Sequence, residues 1–469
     1  MPLNRDVEVA PIAVVIPRDG TVRPTRHAAR SALIAALLGL FVVTLDAVVV
    51  NVALATMGHE FRAGISGLQW VVDGYTLTFA ALLLSTGALA DRIGARQAFA
   101  LGLVVFMMAS AACGFAPGLS ALIVARFAQG IGAAVMMPSS MSLIRQSYTD
   151  PVQRGHAVAL WAMGGAVAAT SGPVIGGLLA LLNWRWIFFI NLPVGLATLY
   201  FLRRADASMR RAAPFDVWGQ LTAVAAMGAL TYGAIEIGVR GITSPSVLVC
   251  LVIALVTLAG FVVLQQRGVH PMVPPSLLAP RNARIAMVVG FTYTVGYFGL
   301  PFVMSLYLQQ QRGLTAAETG VAFLPMMITG FMLTPFSSRL MHRFSHRALI
   351  VTGLVSMSAG LACISFLPLS IPVWWIAILM VLVGLAGPLV SPPITAVLLS
   401  SIPGHFAGTA SGVFNTCRQV GGALAVAIFG ALLARSPNFT AGFHASLVLA
   451  AAMALATAMM SLRLQPSHS

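Results

Sequence analysis

The sequence contains no lysine and only 12 acidic residues in 469, so all 27 basic residues are arginines and charged residues make up just 8%. A soluble globular chain carries about 25% charged residues. About a third of that cannot coat a water-facing surface, which excludes a soluble enzyme. The four cysteines, Cys113, Cys250, Cys363 and Cys417, lie far apart inside apolar stretches. No disulfide or zinc framework is suggested, and each reads as a small packing residue. HExxH, Walker A and GxSxG patterns are also missing, so a membrane protease, an ATP-driven pump and a serine hydrolase lack their chemistry. Without an ATP site, any uphill transport must draw on an ion gradient, and no cofactor is expected. The first thirty residues are polar, with Pro2, Pro11, Pro17 and Pro24, and show no apolar core followed by a signal-peptide cleavage site.

What the chain has instead is apolar surface: 58% hydrophobic residues and a mean hydropathy of +0.91. Apolar stretches of 17–25 residues can cross a ~30 Å hydrocarbon core as helices. Fourteen are expected, at 32–55, 68–89, 98–115, 119–144, 156–182, 187–202, 217–237, 247–264, 285–308, 319–340, 348–369, 372–399, 406–433 and 442–462. Outer-membrane barrel strands alternate over about ten residues, and these runs are continuously apolar. The expected fold class is therefore an all-α, polytopic membrane protein of 14 transmembrane helices.

The arginines orient it. Twenty fall in one set of loops and five (Arg62, Arg185, Arg240, Arg312 and Arg435) in the opposite set. By the positive-inside rule both termini then lie in the cytoplasm, which agrees with an even number of spans. The sequence pI near 11.2 is thus a topology signal, and no nucleic-acid partner is expected. The lipid bilayer is the expected surrounding.

The loop after the second span reads GALADRIGARQ (87–97), and the loop after the tenth reads SRLMHRFSHR (338–347), a degraded copy of one skeleton. Repetition at equivalent positions suggests duplicated six-helix halves. The division expected is a tail over 1–30, a first half over 31–202, an inserted two-helix segment over 203–282, a second half over 283–462 and a tail over 463–469.

Ionisable residues inside apolar segments are costly and face a cavity or a partner. Four stand out: Asp46, Asp73, Arg126 and Arg418. Asp46, in TLDAVVVNVAL with Asn51 five residues on, is suited either to bind and release protons or to sit in a permanent structural network. Asp73 lies nearer the span's end, within reach of outside water, as a proton site, an anchor for cationic substrates or an interfacial residue. Arg126, followed by Gln129, Gly130 and Gly132, either tunes a nearby carboxylate or simply neutralises it. Arg418 repeats that Arg-Gln-Gly texture and points to a second-half ion pair or a coupling role. Glu236 reads as interfacial. In SGPVIGG (171–177), Gly172, Pro173, Gly176 and Gly177 either kink the fifth span or shape a seal between halves. Tyr293 and Tyr297, one helical turn apart, either pack or stack on a lipophilic cation. His342 and His346 have a metal-ligand spacing, but nothing accompanies them and Arg343 opposes a cation; no metal site is expected. A channel is disfavoured because nothing resembles a selectivity filter, and a non-transporting receptor or scaffold is the different-class alternative.

Together these motifs resemble the major facilitator superfamily. Gly87, Asp91, Arg92, Gly94 and Arg96 match its signature loop, with Gln97 where a lysine is common. TLDAVVVNVAL resembles the first-span motif of the fourteen-span drug:proton antiporter family, with Ala55 in place of a proline. Arg126 to Gly132 matches the fourth-span motif and SGPVIGG the fifth-span antiporter motif, with Ala168 where that motif starts with glycine. WRWIFFINLPVG (184–195) and NTCRQVGG complete the pattern, which is similar in texture to methylenomycin-resistance-type and multidrug exporters. The resemblance implies the major facilitator fold, with two six-helix halves and two inserted central helices. It also implies proton-driven export of lipophilic compounds, cationic ones among them, by alternating access, with a dedicated exporter of one metabolite or self-made antibiotic as the alternative. It links Arg126 with proton coupling, for which Asp46 and Asp73 are candidates from their place in apolar runs, as Asp73, Tyr293, Tyr297 and Asn51 are for substrate contact. It further implies a small-molecule substrate and protons as partners, a monomer, and the cytoplasmic (inner) membrane of a bacterium as the location. Conformational gating falls to Gly87, Asp91, Arg92, Gly94, Arg96, Gly172, Pro173, Gly176 and Gly177. His342 stands where the second signature loop would carry aspartate, so that copy is expected to lack the latch.

Overall fold

In lipid every backbone polar group must be satisfied within the segment, so apolar runs of this length become helices. The computed structural model describes residues 26–210, 216–268, 271–368, 370–403 and 406–465. Fourteen helical spans cross it, α1 (Arg26–Phe61), α2 (Ile65–Ile93), α3 (Ala95–Gly114), α4 (Leu119–Ser147), α5 (Pro151–Leu182), α6 (Trp186–Arg203), α7 (Val217–Arg240), α8 (Pro245–Arg267), α9 (Arg281–Gln311), α10 (Ala316–Arg343), α11 (His346–Ser365), α12 (Val373–Ser400), α13 (Ala407–Arg435) and α14 (Phe439–Ser461). The number matches the sequence reading, and α1, α2, α5, α8, α9 and α10 are longer than the apolar runs by a turn or more because polar end residues continue the helix past the hydrocarbon. The proline-rich tail of residues 1–25 and the last four residues lie outside the described residues.

Several spans are interrupted where the sequence allows it. α6 breaks at Ile190, α10 at Phe323 and again in a 3₁₀ turn at Thr334–Phe336, and α12 at Leu385. α9 closes in a π turn at Tyr307–Gln311.

Within the first six spans, α4 packs against both α2 and α3, and α1 against α5; within the last six, α9 packs against α13 and α11 against α14. Small residues permit the closest approaches. A Cβ on Gly132 would lie 2.6 Å from the Phe106 backbone nitrogen, so α3 and α4 touch through their main chains there. The α7–α8 hairpin lies beside α2 and α13. Gln220 of α7 donates from Nε2 to the Ala81 carbonyl (2.8 Å) and its side-chain oxygen accepts from the Ser85 hydroxyl. At its other end, Arg435 of α13 donates to the Ile237 carbonyl (3.2 Å).

With an even number of spans, α1 begins and α14 ends at one face, here termed the arginine-rich face; the opposite is the far face. The first and last six spans meet closely at the far face, along three seams. Ser305 donates to the Asn51 carbonyl (2.6 Å) and Gln309 to that of Val52 (2.8 Å), joining α9 to α1. Gln69 of α2 donates to the carbonyls of Val426 (3.0 Å) and Ala427 (2.6 Å) of α13. On the other flank, a Cβ on Gly177 of α5 would lie 2.6 Å from the Ala316 carbonyl oxygen of α10, and Gly320 faces the Pro173 carbonyl equally tightly. A clamp also ties the far end of α1 to the α5–α6 turn: Glu60 accepts from Trp184 Nε1 (2.5 Å) and pairs with Arg185 (2.7 Å).

Candidate functional site

Asp46, in the middle of α1, is fully buried, as is Arg126 of α4. The two form an ion pair, Arg126 Nη1 to Asp46 Oδ2, at 2.5 Å. Neither charge stands alone. Gln129, one turn along α4, donates from Nε2 to Asp46 Oδ1 (2.7 Å) and to Ser110 Oγ (2.6 Å) of α3, and its Oε1 accepts from Arg126 Nη1 (2.7 Å). Asn191 donates to Asp46 Oδ1 (2.9 Å) and Ser110 Oγ (3.0 Å). The break in α6 at Ile190 puts Asn191 at the start of the second helical piece, where it reaches the centre of the group.

Arg126 also donates to the Val71 carbonyl, Nε to O at 2.9 Å. Its guanidinium also lies 4.5 Å from the Tyr75 ring centroid, and Tyr75 donates in turn to the Val43 carbonyl (3.0 Å). Five spans of the first six thus meet around one carboxylate that accepts three hydrogen bonds. A buried ion pair is stable only with such additional bonds, and removing one partner costs about 3–5 kcal/mol. The sequence singled out Asp46, Arg126 and Gln129. It missed Ser110 and Asn191, since neutral polar residues are common in spans; the INLPVG context of Asn191 was the available signal.

Asp73 corrects its expectation. It is 0% exposed and does not reach outside water, and neither carboxyl oxygen has a hydrogen-bond partner among the described residues. On α2 it lies one turn from Gln69, which reaches α13, and one turn from Leu77. Leu77 borders a gap of about 10 Å³ between α2, α7 and α13, lined also by Thr231 and Ala423. Asp73 therefore lies along the stripe that meets α13.

Arg418 of α13 corrects a second expectation: no ion pair includes it among the described residues. The reason is composition, because the only acidic residue after Ile237 is Glu318, in the first turn of α10 at the far face. The Arg418 guanidinium instead lies 5.8 Å from the Tyr293 ring and 5.9 Å from Phe414, and its Nε has no partner among the described residues. Tyr293 and Tyr297 do come together, with centroids 5.1 Å apart. A Cβ on Gly387 of α12 would sit 3.7 Å from the Tyr297 ring, and one on Gly330 of α10 would be 3.2 Å from its hydroxyl. Aromatic, cationic and small residues of α9, α10, α12 and α13 thus form a second cluster. Asn51 belongs to neither cluster; its amide turns back to the Ala47 and Val48 carbonyls (both 3.4 Å).

In the signature loop, Gly94 has φ +94°, a conformation that side-chain-bearing residues rarely adopt. That turn lets the Arg96 amide donate to Ser208 Oγ (3.0 Å) and Arg96 Nη2 to the Arg203 carbonyl (2.9 Å), fastening the α2–α3 loop to the end of α6. In α5, Gly172 and Gly176 face Val48 and Val49 of α1, whereas Pro173 and Gly177 face α10.

The chain matches the Major Facilitator Superfamily over residues 36–426. It is 36% identical to the methylenomycin A resistance protein of Bacillus subtilis over 431 residues, covering 91% of this chain and 92% of that one. It is 35% identical to the multidrug resistance protein Stp of Mycobacterium tuberculosis, covering 86% and 75%. A POT family transporter solved with a thioalcohol-conjugated peptide superposes with a TM-score of 0.69 at 13% identity, over 92% of this chain and 95% of that one; at that identity the likeness concerns the fold alone. Fourteen spans, a buried charge network and these relatives converge: the chain belongs to the Major Facilitator Superfamily.

Proposed function

We propose that the protein is a secondary active exporter that moves lipophilic drugs or antibiotics outward, cationic ones among them, in exchange for protons moving inward. The observation that carries this reading is the Asp46 carboxylate, buried at mid-span and held by Arg126, Gln129 and Asn191. A proton arriving on Asp46 neutralises the acid and takes away an acceptor. Arg126 is then left as a buried charge without its partner, a cost that favours rearrangement of α1 against α4. Proton binding is thereby tied to conformation. Asp73, buried beside α13 without a hydrogen-bond partner among the described residues, serves as a second proton site or as an anchor for cationic substrates. The Tyr293–Tyr297 pair and Arg418 contribute the opposite wall, and the signature loop and the α5 glycines act in gating. No cofactor takes part, and the chain works as a monomer in a bacterial cytoplasmic membrane.

With both ends in the cytoplasm, the far face is the outer one. Its seams are closed by Ser305, Gln309 and Gln69, the arrangement expected when the substrate path opens inward. Asp46→Asn is expected to abolish substrate-driven proton release from proteoliposomes, read with a lumenal pH dye; full coupling in that variant rejects the assignment. One relative is named for a single antibiotic and the other for many drugs. A susceptibility panel in an exporter-deficient host separates a broad exporter, protecting against many compounds, from a dedicated one.

A further inference from the structure

At the arginine-rich face, the first and last six spans differ in a way that topology does not require. Near the first six spans, Asp91, Asp150, Asp206 and Asp216 accompany the arginines, whereas after Ile237 the chain carries no acidic residue on this face. The positive-inside rule counts Lys and Arg, and Asp and Glu contribute little to it. Orientation therefore explains the arginines but not the loss of every carboxylate.

The arginines left without acids are gathered. Arg339 and Arg343 stand one turn apart near the end of α10, both exposed, and Arg347 follows in the first turn of α11. Arg347 donates to the Leu462 carbonyl (3.4 Å), next to Arg463. Asn282 of α9, between Arg281 and Arg284, exchanges hydrogen bonds with the Gln465 backbone (both 3.1 Å), which brings the start of α9 to the same place. None of these six arginines takes part in an ion pair among the described residues. Like charges at i, i+4 repel, and cations in the first turn of a helix oppose its dipole, so the arrangement works against local helix stability. Phe336 and Phe344 flank the group, 48% and 49% exposed, with the guanidinium groups of Arg339 and Arg343 at 5.6 and 6.0 Å from their rings. A soluble anion has no use for exposed rings at the edge of a bilayer; a phospholipid sets its phosphate among guanidinium groups and its glycerol and upper acyl carbons against the rings.

We propose that this face of α9, α10, α11 and α14 is a binding site for the phosphate headgroup of anionic phospholipids. The degraded second signature loop, with His342 in place of an acid, has become part of that site.

The test is native mass spectrometry of the purified full chain, titrated with phosphatidylglycerol, cardiolipin or phosphatidylethanolamine. The wild type is expected to retain the two anionic lipids in preference to the zwitterionic one. The triple variant Arg339→Gln, Arg343→Gln, Arg347→Gln is expected to bind anionic lipid about fivefold more weakly for each arginine removed. A charge-matched variant at the other half of the face, Arg145→Gln, Arg154→Gln, Arg204→Gln, is expected to behave as wild type. Equal weakening in both variants, or none in the first, overturns the proposal. So does complete displacement of lipid by inorganic phosphate, which assigns the site to a soluble anion. If the triple variant does not fold, Arg343→Gln alone gives the same comparison. Transport is not measured, so the result stands or falls apart from the export reading.

Discussion

Asp46, Arg126, Gln129, Ser110 and Asn191 bring side chains of α1, α3, α4 and α6 to one point, and the arrangement fixes what each residue can be exchanged for. Arg126 donates through Nε to Val71 and through Nη1 to Asp46 and Gln129. A lysine keeps the charge but lacks that planar fork. Arg126→Lys is therefore expected to lose proton-coupled flux while Asn191→Ala retains part of it. Asn191→Ala is expected to destabilise the protein by about 1–3 kcal/mol, because Ser110 and Asp46 each lose a donor in a buried place. Thermal unfolding in detergent and proton release from proteoliposomes, run on both variants, check the pair; identical behaviour of the two would contradict it. The charged members of this network were legible in the sequence because an ion in an apolar run must have a reason. Ser110 and Asn191 were not, since a neutral hydroxyl or amide in a span has many uses. Asp73 was misplaced because depth along a helix does not say which neighbour covers it. Arg418 lost its expected ion pair for a reason that composition already contained, the scarcity of acids beyond Ile237.

Among the elements, α5 has two working faces. Gly172 and Gly176 let it lie against α1, and Pro173 and Gly177 let it lie against α10. The sequence showed the glycine and proline cluster and left a plain kink and a seal between halves both open; the α10 contact is tertiary and has no signature in the run itself. A side chain at position 177 must push into the Ala316 carbonyl region, so Gly177→Val is expected to hold the far-face seam apart. In a cysteine-free background, a disulfide between Val52→Cys and Gln309→Cys is expected to form readily with Gly177 present and several-fold more slowly with valine. Equal rates would show that the α5–α10 contact does not govern closure. The breaks of α10 at Phe323 and α12 at Leu385 were not legible in the sequence, because both lie within strongly apolar stretches.

For the whole molecule, the count of fourteen spans and the common side of its two ends were readable from hydropathy and arginine placement. The seams were not, since they join residues more than 130 positions apart, such as Gln69 with Val426 and Asn51 with Ser305. If the proposed exchange holds, its energetics depend on the cargo. Moving one elementary charge through 100 mV is worth about 2.3 kcal/mol. One proton exchanged for one monovalent cation moves no net charge, so collapsing the membrane potential with valinomycin and potassium is expected to leave export of such a cation unchanged. Export of a neutral compound is expected to slow under the same treatment, and the converse pattern would require a different stoichiometry.

The hairpin also gives the molecule two unlike flanks. On one flank α7 lies over the line where α2 meets α13, tied by Gln220 near one face and by Arg435 near the other. On the opposite flank, α5 and α10 meet with no further helix laid over them among the described residues. A compound dissolved in the bilayer and drifting around the circumference thus meets a covered joint on one side and a bare one on the other.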